Sequence, residues 1–95
     1  MNDCALRIDK WLWFARFCKS RSLAAAWCVG GEVTLNGAVV TKPAQLLRPG
    51  DVLAIPAGPR RRRMVRVLAL GARRGPASEA RILYEELSAT IDGAG

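Results

Sequence analysis

Between Ile8 and Cys18 the apolar residues Ile8, Trp11, Leu12, Ala15 and Cys18 recur at steps of three and four, the period of a helix with one buried face. The spacing predicts a first helix over 8–18, with Asp9, Lys10, Trp13, Arg16 and Phe17 turned to the other side. Ser20 suits the N-cap of a second, alanine-rich helix from Arg21 to about Val29, and Gly30-Gly31 supplies the left-handed residue that commonly ends one. Runs at 33–35 and 38–40 then flank Asn36-Gly37, the strongest short-range signal for a two-residue type I′ hairpin. Arg48-Pro49-Gly50-Asp51 marks another turn, 52–55 reads as a strand, and 56–59 as a loop. Alternation over 64–70 predicts a last strand. After a basic loop at 71–77, Ser78 with Glu79 opens a helix whose Ala80, Leu83 and Leu87 share one stripe, ending near Ala89 with a frayed end beyond. The order is α-α-β-β-β-β-α, an α+β chain without internal repeat or long linker.

Ninety-five residues form one domain, 1–95, able to bury roughly 60–65% of the surface its unfolded chain exposes and too small for a catalytic domain beside a binding domain. Apolar residues make up 51% and charged residues 24%, so the basic charge belongs to a folded surface and not to a disordered tail. That charge is large. Fifteen Lys and Arg against eight Asp and Glu leave a formal +7, which draws polyanions and makes nucleic acid the first partner to consider.

Histidine is absent, which removes the usual general base and the commonest metal ligand. The acids offer no catalytic pair: Glu85 and Glu86 are neighbours on the expected last helix, and Asp9 and Asp51 lie at element boundaries. Cys4, Cys18 and Cys28 lack metal or disulfide spacing and read as packing residues of a reducing compartment. The start Met1-Asn2-Asp3-Cys4 is acidic where a signal peptide is basic, and Arg16 interrupts the apolar stretch from Trp11 well short of a membrane span. A soluble cytoplasmic protein without enzymatic activity, metal or cofactor is expected.

Lys10, Arg16, Lys19 and Arg21 surround the joint of the first two helices, where Ser20, Arg21 and Ser22 would offer backbone N–H groups to phosphate. Arg60, Arg61, Arg62 and Arg63 form a second cluster, read as a loop between strands. From Arg48 to Arg81 nine arginines face only Asp51 and Glu79, so no intramolecular neutralisation is expected. Arginine favours forked bonds to phosphate and stacking on exposed bases. Of the aromatics, Trp11, Phe14 and Trp27 are assigned to packing, while Trp13 and Phe17 either cover the C-terminal helix or offer a surface to a base or another protein. A DNA-reading helix-turn-helix fits less well, because the second helix runs Leu23-Ala24-Ala25-Ala26-Trp27-Cys28-Val29 with no polar reader after Ser22.

The ordered set Arg7-Ile8-Asp9-Lys10, Arg16, Ser20-Arg21-Ser22, Gly31-x-Val33, Asn36-Gly37, Lys42-Pro43 and Pro49-Gly50-Asp51 resembles the RNA-binding domain named after ribosomal protein S4. That resemblance covers 7–55. It implies two N-terminal helices packed on a small, mostly antiparallel sheet, with RNA-binding residues near the helix joint. The paired Trp11 and Trp13, the segment from Ala72 to Ala80 and Leu83-Tyr84-Glu85-Glu86 make the chain similar to the small bacterial ribosome-associated heat-shock proteins, with 56–89 as a basic strand-loop-helix extension. Members of that group continue into a longer basic C-terminal segment. The resemblance implies binding to ribosomal RNA on the large subunit, in particular a dissociated subunit still carrying peptidyl-tRNA, as part of a stress response that clears the stall. Expected RNA contacts are Arg7, Lys10, Arg16, Lys19, Ser20 and Arg21, with Asn36 and Gly37 setting the hairpin, Lys42 extending the surface, and Arg60, Arg61, Arg62 and Arg63 adding affinity. A monomer is expected. The rival readings are an accessory that carries a translation or RNA-modification enzyme to RNA and, more remotely, a DNA-binding regulator.

Overall fold

A computed structural model describes residues 4–90, and the frayed end expected past Ala89 lies largely outside that range. Eleven elements follow one another: β1 (Leu6–Arg7), α1 (Ile8–Phe14), α2 (Arg21–Val29), β2 (Thr34–Leu35), β3 (Ala38–Val39), β4 (Leu46–Leu47), β5 (Val52–Pro56), β6 (Arg62–Val67), α3 (Ala77–Ala80), a 3-10 turn (Arg81–Leu83) and β7 (Tyr84–Thr90). The fold is α+β, as expected. Its main sheet is antiparallel with strand order β3-β2-β5-β6-β7, and β1 with β4 forms a separate two-stranded ribbon that the hydrophobic pattern did not announce.

The α1 stripe buries as expected: Ile8, Trp11 and Leu12 are fully enclosed, with Ala15 and Cys18 continuing the same surface. They meet Leu53 and Ile55 of β5 and Val65 and Val67 of β6, the alternate residues that a pleated strand turns to one face. Ala24 and Cys28 seat α2 on this core. The one polar group of the Trp11 ring is satisfied, its Nε1 donating to the Ala69 carbonyl at 2.9 Å.

Helix α1 is shorter than its stripe. It stops at Phe14, not Cys18, because Arg16 turns left-handed at φ 65° and nested bonds from Arg16 N to Trp13 O and from Phe17 N to Leu12 O close the end. Helix α2 ends the same way with the residue type that geometry favours: Gly31 has φ 73°, and Gly31 N and Glu32 N donate to Cys28 O and Trp27 O. Asn36 and Gly37, at φ 51° and 91°, make the expected type I′ turn between β2 and β3.

The C-terminal helix is a correction in extent. Only Ala77–Ala80 is α-helical, followed by the 3-10 turn, and the stretch expected to remain helical to Ala89 is strand β7. Its pairing with β6 shifts register between Met64 and Val65, leaving Leu87 outside the ladder. The three-residue step from Ala80 to Leu83 belongs to the short helix and its 3-10 turn, and the four-residue step to exposed Leu87 crosses into the strand, so a stripe that spans separate elements imitates one helix. Cross-strand partners decide the outcome: Glu85 lies opposite Arg66 in the register and accepts from its Nη1 at 2.8 Å.

Candidate nucleic-acid interface

Asp9 organises the surface. Sequence spacing places it on the outward side of α1, yet it is 3% exposed, because Arg7 and Arg21 enclose it. Arg7 donates through Nε and Nη2 to the two carboxylate oxygens at 3.1 and 3.0 Å, and Arg21 Nε lies 3.5 Å from Oδ2. Both arginine side chains remain more than 40% exposed, so one buried anion holds two cations with donors left for another partner.

The other expected RNA-binding residues are held in several ways. The loop carrying Lys42 is fastened to the start of α1, with Asp9 N donating to Pro43 O and Ile8 N to Gln45 O, so this helix start is closed by protein and offers no phosphate cradle there. Lys10 stands 5.9 Å from the Phe14 ring centre. Lys19 is exposed, and the Ser20 hydroxyl accepts from Leu23 N at 3.0 Å as the cap of α2. Asn36 works inside the fold: its Nδ2 donates to Asp51 at 3.1 Å and its Oδ1 accepts from Val52 N at 2.9 Å, tying the hairpin to the Arg48–Asp51 turn.

Arg16 leaves this corner. Its Nε donates to the carbonyl of buried Gly75 at 2.8 Å, while Arg74 Nε donates to Trp13 O at 3.1 Å and lies over the Trp13 ring. The two arginines thereby staple the 71–76 loop onto the C-terminal end of α1, where carbonyls and the helix dipole favour cations.

The arginine run does not form a single loop. Arg60 and Arg61 are exposed in the turn, but Arg62 and Arg63 begin β6. Arg62 Nη2 donates to Glu32 O and Ala54 O, and Arg63 pairs with Glu86 while lying 4.9 Å from the Phe17 ring centre. Donating to Glu86 raises the Arg63 pKa above its ordinary value, keeping it charged. Because Arg62 is anchored just past the end of α2, the Arg60–Arg61 turn is set near that end, while Arg21 stands at the other, about 13 Å away at 1.5 Å per residue.

The expectation of no internal neutralisation is likewise corrected, since Glu85, Glu86 and Glu79 pair with Arg66, Arg63 and Arg73. Strand β7 supplied two acids that a helix would have pointed elsewhere. Trp13 and Phe17, left open by sequence, both cover the C-terminal extension: Phe17 lies 4.6 Å from Tyr84 between ring centres, and Trp13 carries Arg74. Buried Asp9 was missed, and its signal was present in Arg7-x-Asp9 at a helix start followed by Arg21.

Among the described residues no group of His, Cys, Asp and Glu is placed to hold a metal ion, and no helix is long and apolar enough to cross a membrane. Burial pushes the Cys18 thiol up to about 12, helped by Cys28, and the Cys28 thiol up to about 11, helped by Asp9. These thiols are protonated packing groups.

The S4 domain family model matches residues 6–53. Heat shock protein 15 of Escherichia coli K12 is 40% identical over 87 residues, which are 92% of this chain and 64% of that protein. The Heat shock protein 15 homolog of Aeromonas salmonicida is 42% identical over 90% of this chain and 64% of its own length, and that of Haemophilus influenzae is 34% identical over 96% and 68%. The chain thus spans just under two thirds of the first two relatives. A solved structure described as trimeric Vibrio cholerae Heat Shock Protein 15 superposes with TM-score 0.82 at 35% identity, covering 90% of this chain and 85% of that one.

Proposed function

The chain belongs to the S4 domain family and to its heat shock protein 15 group, and from that premise we propose that it is a non-enzymatic, ribosome-associated RNA-binding protein. The observation that carries the reading is the cationic corner built on Asp9. It lies within the matched segment, presents Arg7 and Arg21 from two elements, and adjoins Lys10, Lys19 and the loop of Lys42. Phosphates held by such a surface are recognised by shape and charge, because α2 offers no polar side chain after Ser22 to read base edges. Arg60 and Arg61 extend the interface from the β5–β6 turn, whereas Arg62 and Arg63 chiefly hold the fold.

The finer reading is binding in the cytoplasm to large-subunit ribosomal RNA, with preference for free subunits that carry peptidyl-tRNA. Such a preference requires a differential affinity for one subunit state. The test is co-sedimentation with matched empty, peptidyl-tRNA-loaded and intact particles at fixed salt. Strongest pelleting with loaded free subunits is expected. Equal pelleting with all three leaves a general ribosomal RNA binder, and none at physiological salt overturns the whole reading.

A further inference from the structure

A cavity of about 120 Å³ opens between the end of α1 and the C-terminal extension. Arg16, Phe17, Arg63, Arg81 and Tyr84 line it, with Ala80 among the small residues that leave it open. Phe17 and Tyr84 form an angled aromatic wall, their ring centres 4.6 Å apart and their planes tilted by 53°, and the Arg63 guanidinium carbon lies 4.9 Å from the Phe17 ring centre. The cations differ in what they have left to give. Arg63 is neutralised by Glu86, and Arg16 has its Nε on Gly75 O with no partner for its terminal nitrogens among the described residues. Arg81 is exposed and has no side-chain hydrogen bond or ion pair among the described residues.

An aromatic wall beside two guanidinium groups with free donors is suited to a flat base attached to a phosphate. Free phosphate would leave the wall unused, and an acidic peptide would have no use for a stacking platform. A paired base has its faces covered by neighbours in the stack, so only an unpaired one can enter. We propose that this pocket receives one unpaired, splayed-out nucleotide of the bound RNA, its base against the Phe17–Tyr84 wall and its phosphate on Arg81 and Arg16. This rests on the RNA-binding reading and adds to it a preference for a bulge or loop. Arg16 supplies continuity, because the same residue ends α1 and leads into Lys19 and Arg21.

The experiment compares three RNA hairpins of one stem by fluorescence anisotropy: fully paired, with a single adenosine bulge, and with the same bulge lacking its base. Roughly tenfold tighter binding of the adenosine bulge than of the abasic bulge is expected, within the range of base stacking on aromatic side chains. Tyr84→Leu should erase that difference and Tyr84→Phe should keep it. Arg81→Gln, an exposed change outside the Asp9 corner, should weaken the bulged hairpin while leaving the paired one unchanged. Equal affinity for adenosine and abasic bulges, with the paired hairpin still bound, overturns the pocket and spares the RNA-binding reading. Failure of all three hairpins to bind overturns both.

Discussion

Replacing Asp9 by Asn separates two accounts of RNA affinity that differ in sign. If affinity follows net charge alone, the substitution raises the formal charge from +7 by one and strengthens binding. If Asp9 holds Arg7 and Arg21 in a productive arrangement, the substitution weakens it. The polar interactions at stake lie at 3.0, 3.1 and 3.5 Å. A buried bond to a charged group is worth about 1.5–3 kcal/mol and an exposed ion pair about 0.2–1. With the carboxylate buried and both guanidinium groups more than 40% exposed, an intermediate loss of about 2 kcal/mol follows, or roughly 8–16 °C in melting temperature for a domain of this size.

On binding, the released side chains must be ordered again, at about 0.5–1.5 kcal/mol each, so RNA affinity should fall roughly tenfold. Anisotropy with a ribosomal RNA hairpin below the melting transition measures this, and circular dichroism confirms folding. Glu79→Gln supplies the charge-matched control, since it removes one exposed carboxylate paired only with Arg73. It should leave affinity unchanged or slightly raised. A folded Asp9→Asn protein that binds as tightly as Glu79→Gln would refute the organising role.

At Arg16, the left-handed backbone costs a non-glycine residue about 1–2 kcal/mol, so Arg16→Gly should melt higher than Arg16→Ala although both lose the bond to Gly75; equal melting would refute the strain. Both changes should weaken RNA binding and flatten its salt dependence by about 0.7–0.9 in log-log slope for each phosphate no longer neutralised. Exposed Cys4 should alkylate readily at pH 8, with Cys18 and Cys28 protected until unfolding, as mass spectrometry can follow. Because burial raises both buried thiols above their ordinary 9.0, the unfolded chain ionises first; their contribution is full below pH 9 and lost as pH rises through about 11 to 12, so urea midpoints should decline there. Sedimentation equilibrium should give a 10.3 kDa monomer, since edge strand β7 carries Glu85 and Glu86 and a register shift, and edge strand β3 has only two residues. A species three times heavier would align the chain with the trimer described for the Vibrio relative.

The elements that sequence located correctly are those whose signals are local. The α1 stripe, the Ser20 cap, the Gly31 terminator and the Asn36-Gly37 turn each depend on neighbours within a few residues, and each stands where the pattern put it. The failures share a different cause. Arg16 ends α1 although nothing in its residue type favours a left-handed backbone, and its side chain is held by Gly75, fifty-nine positions away. Tyr84 to Thr90 becomes strand because β6 offers it Arg66 and Arg63, partners that no window of local periodicity contains. Asp9 looked solvent-facing because the helix wheel counts only its own helix, while Arg21 arrives from the next.

The same long-range interactions change what a charge of +7 means. Arg63, Arg66 and Arg73 sit against carboxylates and add little field, whereas Arg16, Arg62 and Arg74 donate to carbonyls, which fixes their position without cancelling their charge. Arg7 and Arg21 share one anion and so contribute one net positive charge between them. Among the described residues, positive charge therefore stays uncancelled at Lys10, Lys19, Lys42, Arg48, Arg60, Arg61 and Arg81 as well as at the carbonyl-bonded Arg16, Arg62 and Arg74, with Arg81 at the aromatic cavity. At the β5–β6 turn both arginines are exposed and, among the described residues, bonded to no acid, the arrangement of a general phosphate contact. For that reason Arg60 and Arg61 exchanged together for Gln should lower affinity for different RNAs by similar factors, while Arg62→Gln should act mainly on stability; selective loss of a single RNA on changing the turn would instead make it a reader of structure.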